Sequence, residues 1–80
     1  MSDFRELDTV VLTRDLPDVG LCAGDIGAVV QLYSPDAVEV EFVTASGHTQ
    51  ALLTLHSDDV RAVRDDDLLA VRPARRQGAA

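Results

Sequence analysis

A single cysteine, no lysine, and no apolar run long enough to cross a bilayer set the first limits on this chain. Cys22 is the only thiol, so no internal disulfide can staple the fold, and a lone thiol fits a reducing compartment. Nothing approaches the roughly 18 apolar residues of a membrane helix, and Met1-Ser2-Asp3-Phe4-Arg5-Glu6 lacks the basic start and apolar stretch of a signal peptide. We therefore expect a soluble, cytoplasmic protein with no membrane partner. Its 80 residues leave room for one core and no second lobe, so any function must sit on one compact body.

Basic residues are scarce: seven, all arginine, against fourteen acidic ones. Up to Asp67, four arginines face all fourteen carboxylates, and only Arg72, Arg75 and Arg76 follow. A body this acidic repels a phosphate backbone, because binding there depends on cationic side chains displacing counterions. Nucleic acid is thus an unfavourable partner and a basic protein surface a favourable one.

What remains is a series of short apolar segments separated by turn residues, the pattern of a small all-β barrel. Five strands are expected, over residues 8–13, 27–33, 38–43, 49–55 and 60–63. Val38-Glu39-Val40-Glu41-Phe42-Val43 alternates most clearly, turning Val38, Val40 and Phe42 inward and leaving Glu39 and Glu41 in water. Residues 15–25 form a long loop rich in breakers but carrying Val19, Leu21 and Cys22, which suggests that it folds back over the barrel mouth. His56-Ser57-Asp58-Asp59 reads as a single 3₁₀ turn before the last strand. The barrel spans residues 1–64. Residues 65–80 form an acidic-then-basic tail, largely disordered at its end, whose Leu68-Leu69-Ala70-Val71 is apolar enough to dock.

Few residues invite chemistry. Gly24-Asp25-Ile26-Gly27 lacks the Lys-Ser/Thr of a phosphate loop and precedes a strand, so a tight turn is expected. Glu39 and Glu41 lie about 7 Å apart on one strand face, where they should titrate alike and solubilise instead of catalysing. His48, His56 and Cys22 show no zinc spacing, and Cys22 beside Asp18 and Asp25 is expected to be a buried apolar loop residue. No catalytic, cofactor or metal site is expected, and the chain does not read as an enzyme. If Val10, Leu12, Val30, Leu32, Val38, Val40, Phe42, Leu53 and Leu55 fill the core, then Val11, Val29, Tyr33, Val43 and Leu52 fall on the opposite face.

The segments Glu6-Leu7-Asp8-Thr9-Val10-Val11-Leu12-Thr13-Arg14-Asp15-Leu16-Pro17 and Gly20-Leu21-Cys22-Ala23-Gly24-Asp25-Ile26-Gly27-Ala28-Val29-Val30 together resemble a family of small bacterial proteins catalogued as a domain of unknown function. The likeness continues through Val38-Glu39-Val40-Glu41-Phe42-Val43 and Leu55-His56-Ser57-Asp58-Asp59-Val60-Arg61-Ala62-Val63. It implies an SH3-like barrel and no established activity. More distantly, Gly24-Asp25-Ile26-Gly27-Ala28-Val29-Val30 is similar to the KOW motif of ribosomal and transcription-elongation barrels and to accessory barrels of larger enzymes. The basic loops of the KOW proteins are missing here.

The expectation that follows is a five-stranded SH3-like barrel acting as a non-enzymatic protein-interaction module, an accessory subunit or a neutraliser of a neighbouring gene product. Tyr33, Glu39, Glu41, Val43 and Leu52 are its candidate partner-binding residues, facing a basic surface or a second copy of the chain. The alternative is a nucleic-acid or ribosome-associated barrel using the arginine tail.

Overall fold

The computed structural model describes residues 4–74. Five strands, β1 (Thr9–Leu12), β2 (Ile26–Ser34), β3 (Ala37–Val43), β4 (Thr49–His56) and β5 (Val60–Ala62), form one open antiparallel sheet in the order β4-β3-β2-β1-β5. The all-β class expected from the sequence is the class observed. Alternation in β3 is the organising feature: Val38, Val40 and Phe42 are buried, with half-buried Glu39 and Glu41 on the other face. Val10 and Leu12 of β1, Val29 of β2, Leu55 of β4 and Val60 of β5 join them in one cluster. Each such side chain contributes about 1.5–3 kcal/mol when removed from water, and their convergence bends the sheet around its own core.

Strand β2 departs from the expected inward set. Val29 is fully buried and Val30 only half-buried, the reverse of the strict alternation predicted. The register shifts between Val29 and Gln31, so one extra residue enters the strand and inverts the parity. Leu32 consequently returns to the core side, as expected. Val11 also differs: it lies outside the core cluster yet is buried, beside Ile26, Arg61 and Asp67-Leu68-Leu69.

The 15–25 loop does fold over the core. Leu21 is buried, Leu16 and Val19 pack on the cluster, and Leu16 and Leu21 bridge across a 3₁₀ turn at Pro17–Val19 that the sequence reading did not place. Cys22 is exposed, contrary to expectation, because Leu21 takes the inward position and the chain then turns out at Gly24 with φ +96°. The Cys22 amide donates to Asp25 Oδ2 at 2.8 Å, closing that turn. Gly27 has a different reason to be glycine: a Cβ there would sit 2.6 Å from Val40 Cγ1 and 2.9 Å from Phe42 Cε2.

The expected turn before the last strand is present at Ser57–Asp59, where His56 Nδ1 accepts from the Asp58 amide at 3.1 Å. Beyond β5 the chain is tied down by charge. Arg61 donates to both oxygens of Asp67 at 2.9 Å, and the Arg64 amide to Asp67 Oδ2 at 2.7 Å. Farther on, Arg72 Nε donates to Asp25 Oδ1 at 2.8 Å, while Nη2 binds Asp25 Oδ2 and the Gly20 carbonyl. Leu68, Leu69 and Val71 are 93, 65 and 98% exposed, so they do not anchor this strap. Pro73 and Ala74 are exposed, and the expected disorder at the very end falls on residues 75–80, outside the described residues.

Candidate interaction face

The outer face of β2-β3-β4 carries the five residues singled out from the sequence. Inward burial of Val38, Val40 and Phe42 forces Glu39, Glu41 and Val43 outward, and the antiparallel register then fixes their neighbours. Glu41 stands between Ala28 of β2 and Leu52 of β4, and Glu39 between Gln31 and Thr54. Val43 lies opposite Thr49 at the end of the hairpin. Tyr33, Val43 and Leu52 are 52, 47 and 52% exposed, so about half of each ring or branched chain meets water.

The carboxylates therefore run through the middle of the face, with Tyr33 and Leu52 on either flank. The register thus makes the centre of the face acidic and its flanks apolar. Thr49 Oγ1 donates to Glu41 Oε2 at 2.7 Å, which fixes that carboxylate beside Leu52. Desolvation, followed by interaction with the Glu39 carboxylate, raises the Tyr33 hydroxyl above its ordinary pKa. The hydroxyl stays protonated at neutral pH, with its one proton directed at the Glu39 carboxylate. Two apolar flanks and a fixed negative stripe suit a cationic side chain lying across β3, its stem packed on Leu52 or Tyr33.

Nothing on this face resembles a reaction centre. Its two half-buried carboxylates share one face, and no nucleophile is paired with a base among its residues. Among the described residues, no group of three or more His, Cys, Asp or Glu side chains gathers where it could hold a metal ion. His48, His56 and Cys22 are exposed and lie on separate segments.

A second feature was not legible in the sequence. Between the strap and the sheet lies a cleft of about 460 Å³, bordered by Leu21, Ile26, Phe42, Val43 and Gln50 and by residues 70–74. Asp25 stands at its edge with its side chain 17% exposed. Burial opposes ionisation of Asp25, but the Arg72 hydrogen bonds, the Cys22 amide and the Arg72 charge outweigh it and hold the pKa below the ordinary carboxylate value. The pairing spans 47 residues, and the only sequence sign of it is that arginine resumes after the acidic triplet Asp65-Asp66-Asp67.

No helix among the described residues is long and apolar enough to cross a membrane. No curated protein and no solved structure matches the chain. A family model does match residues 6–62, the whole of the sheet, and so the chain belongs to the family described as Domain of unknown function (DUF4926).

Proposed function

We propose that this domain is a non-enzymatic interaction module whose outer β2-β3-β4 face receives a basic protein surface. The observation that carries this reading is the placement of Glu39 and Glu41 between half-exposed Tyr33 and Leu52, on a chain with a formal net charge of −7. The acidic stripe accelerates encounter with a cationic partner, and the apolar flanks slow its departure. An accessory subunit and a neutraliser of a neighbouring protein both fit this division of labour. A second copy fits less well, because two acidic faces repel one another.

Of the arginines that the nucleic-acid reading calls on, Arg72 is engaged by Asp25 and the Gly20 carbonyl, and Arg75 and Arg76 lie outside the described residues. Co-purification at low salt from the native cells, followed by binding kinetics with the recovered partner, tests the proposal. Tyr33→Ala and Leu52→Ala should raise the dissociation rate. Glu39→Lys and Glu41→Lys should slow association, most strongly at low salt. Kinetics unchanged in all four variants would refute it.

A further inference from the structure

The strap over residues 65–74 crosses the domain on two ion pairs, Arg61–Asp67 and Arg72–Asp25, while its three largest apolar side chains remain exposed. Partly exposed pairs of this kind hold a segment lightly. Between it and the sheet lies the cleft, one wall of which is made by the strap's own residues 70–74. The sheet side of the cleft presents Leu21, Ile26, Phe42 and Val43 as its apolar part. At one edge the Asp25 carboxylate and the Gly20 carbonyl converge on a single guanidinium, which Arg72 satisfies with a two-pronged contact to the carboxylate and a third bond of 3.0 Å to the carbonyl. That arrangement suits arginine and not lysine, whose ammonium cannot form the parallel pair.

The sheet side of this cleft lies entirely within the matched family region, residues 6–62, and the strap lies entirely outside it. The guanidinium fork thus belongs to the domain, and a separate segment of the same chain fills it. We propose that the Asp25 cleft is a second interaction site, which takes an arginine flanked by small or apolar residues in an extended segment of a protein partner, and that Arg72 occupies it as an internal stand-in. The occupant is a partner and not an isolated cation, because the apolar wall offers area only to residues beside the arginine. The acidic body draws such a basic segment in. To bind, the partner must displace the strap, whose ligand-like sequence is Leu69-Ala70-Val71-Arg72-Pro73-Ala74. This site is separate from the Glu39–Glu41 stripe, although Val43 borders both.

The probe is a fluorescent, end-blocked peptide with that six-residue sequence, titrated by anisotropy against the full chain. Arg72→Ala, which empties the fork, should bind it roughly tenfold or more tightly than the native protein, because the native cleft is competent only while the strap is open. Replacing the peptide arginine with citrulline, or adding Asp25→Asn to Arg72→Ala, should weaken binding by a similar factor. Amide shifts in an NMR titration of Arg72→Ala should cluster at Gly20, Asp25 and Val43, which keeps the test decisive if the double variant folds poorly. Glu39→Lys with Glu41→Lys should leave peptide binding within about twofold at moderate salt, so that failure of the outer-face reading and failure of this one are distinguishable. Equal affinity for native and Arg72→Ala protein, indifference to citrulline, or no binding at all overturns the proposal. A native dimer in sedimentation that Arg72→Ala abolishes also overturns it, by making the occupant a second copy.

Discussion

Gly27 faces Val40 so closely that the nearest approach of a Cβ would be 2.6 Å, with the Glu41 carbonyl a further 3.0 Å contact. The backbone atom leaves no route of escape on that side, and the core contains Val40 at full burial. Gly27→Ala should therefore cost about 1–3 kcal/mol in urea unfolding, the scale of overpacking a tight core. Combined with Val40→Ala, its cost should shrink, because Val40 Cγ1 is the first atom struck. Strict additivity of the two losses would show that the close approach is not what glycine serves here.

Leu7 has φ +71° and is 81% exposed. Its amide donates to the Val29 carbonyl at 2.6 Å, so the backbone position is fixed while the side chain buries little. The left-handed conformation costs a non-glycine residue about 1–2 kcal/mol, against roughly 0.5–1 kcal/mol of extra chain entropy for glycine. Leu7→Gly should be neutral or stabilise by up to about 1 kcal/mol in thermal or urea unfolding. A clear loss would mean that the leucine side chain contributes contacts large enough to offset its strain.

Acid should release the strap, and only at low pH. The Asp67 carboxyl is lowered from the ordinary 3.8 to about 2, first by the Arg61 hydrogen bonds and then by the Arg64 amide. Asp25 is lowered too, by the Arg72 contacts against the opposing effect of burial, and Asp59 by Arg14. A carboxylate whose folded pKa lies below its unfolded value stabilises the fold fully above the unfolded value and loses that contribution as pH falls through the folded one. Amide shifts of Leu69 and Arg72 should stay constant from neutral pH down to about 5 and move as the pH falls towards about 2. Movement confined to the neutral range would contradict the two-clasp description.

How much of this was legible in the sequence depended on whether a local period carried it. Strand β3 was, because Val38, Val40 and Phe42 alternate with charged residues and only one face can be dry. The outward positions of Tyr33, Val43 and Leu52 followed from the same reasoning. Val29 and Val30 are chemically identical, so nothing in the residues themselves indicates which enters the core, and the extra residue in β2 decides it. Residue parity also placed Leu52 on the right face without revealing that its cross-strand partner is Glu41; only the register does that. The strap was the least legible element. Its Arg72–Asp25 clasp joins residues 47 apart in an acidic chain, and no spacing rule selects that pair.

A photo-crosslinking amino acid at Leu52 reports whether the Tyr33–Glu39–Glu41–Leu52 face contacts a basic partner. Leu52 is half-exposed and outside the core cluster, so the substitution should leave the domain folded. In the native cells, one dominant adduct is expected from position 52 and from position 33. That adduct should disappear when Glu39→Lys and Glu41→Lys are added, and it should be absent when the crosslinker stands at exposed Thr13, away from this face. Adducts of equal yield from positions 52 and 13, or an adduct at 52 that survives both charge reversals, would rule out this face as the partner surface.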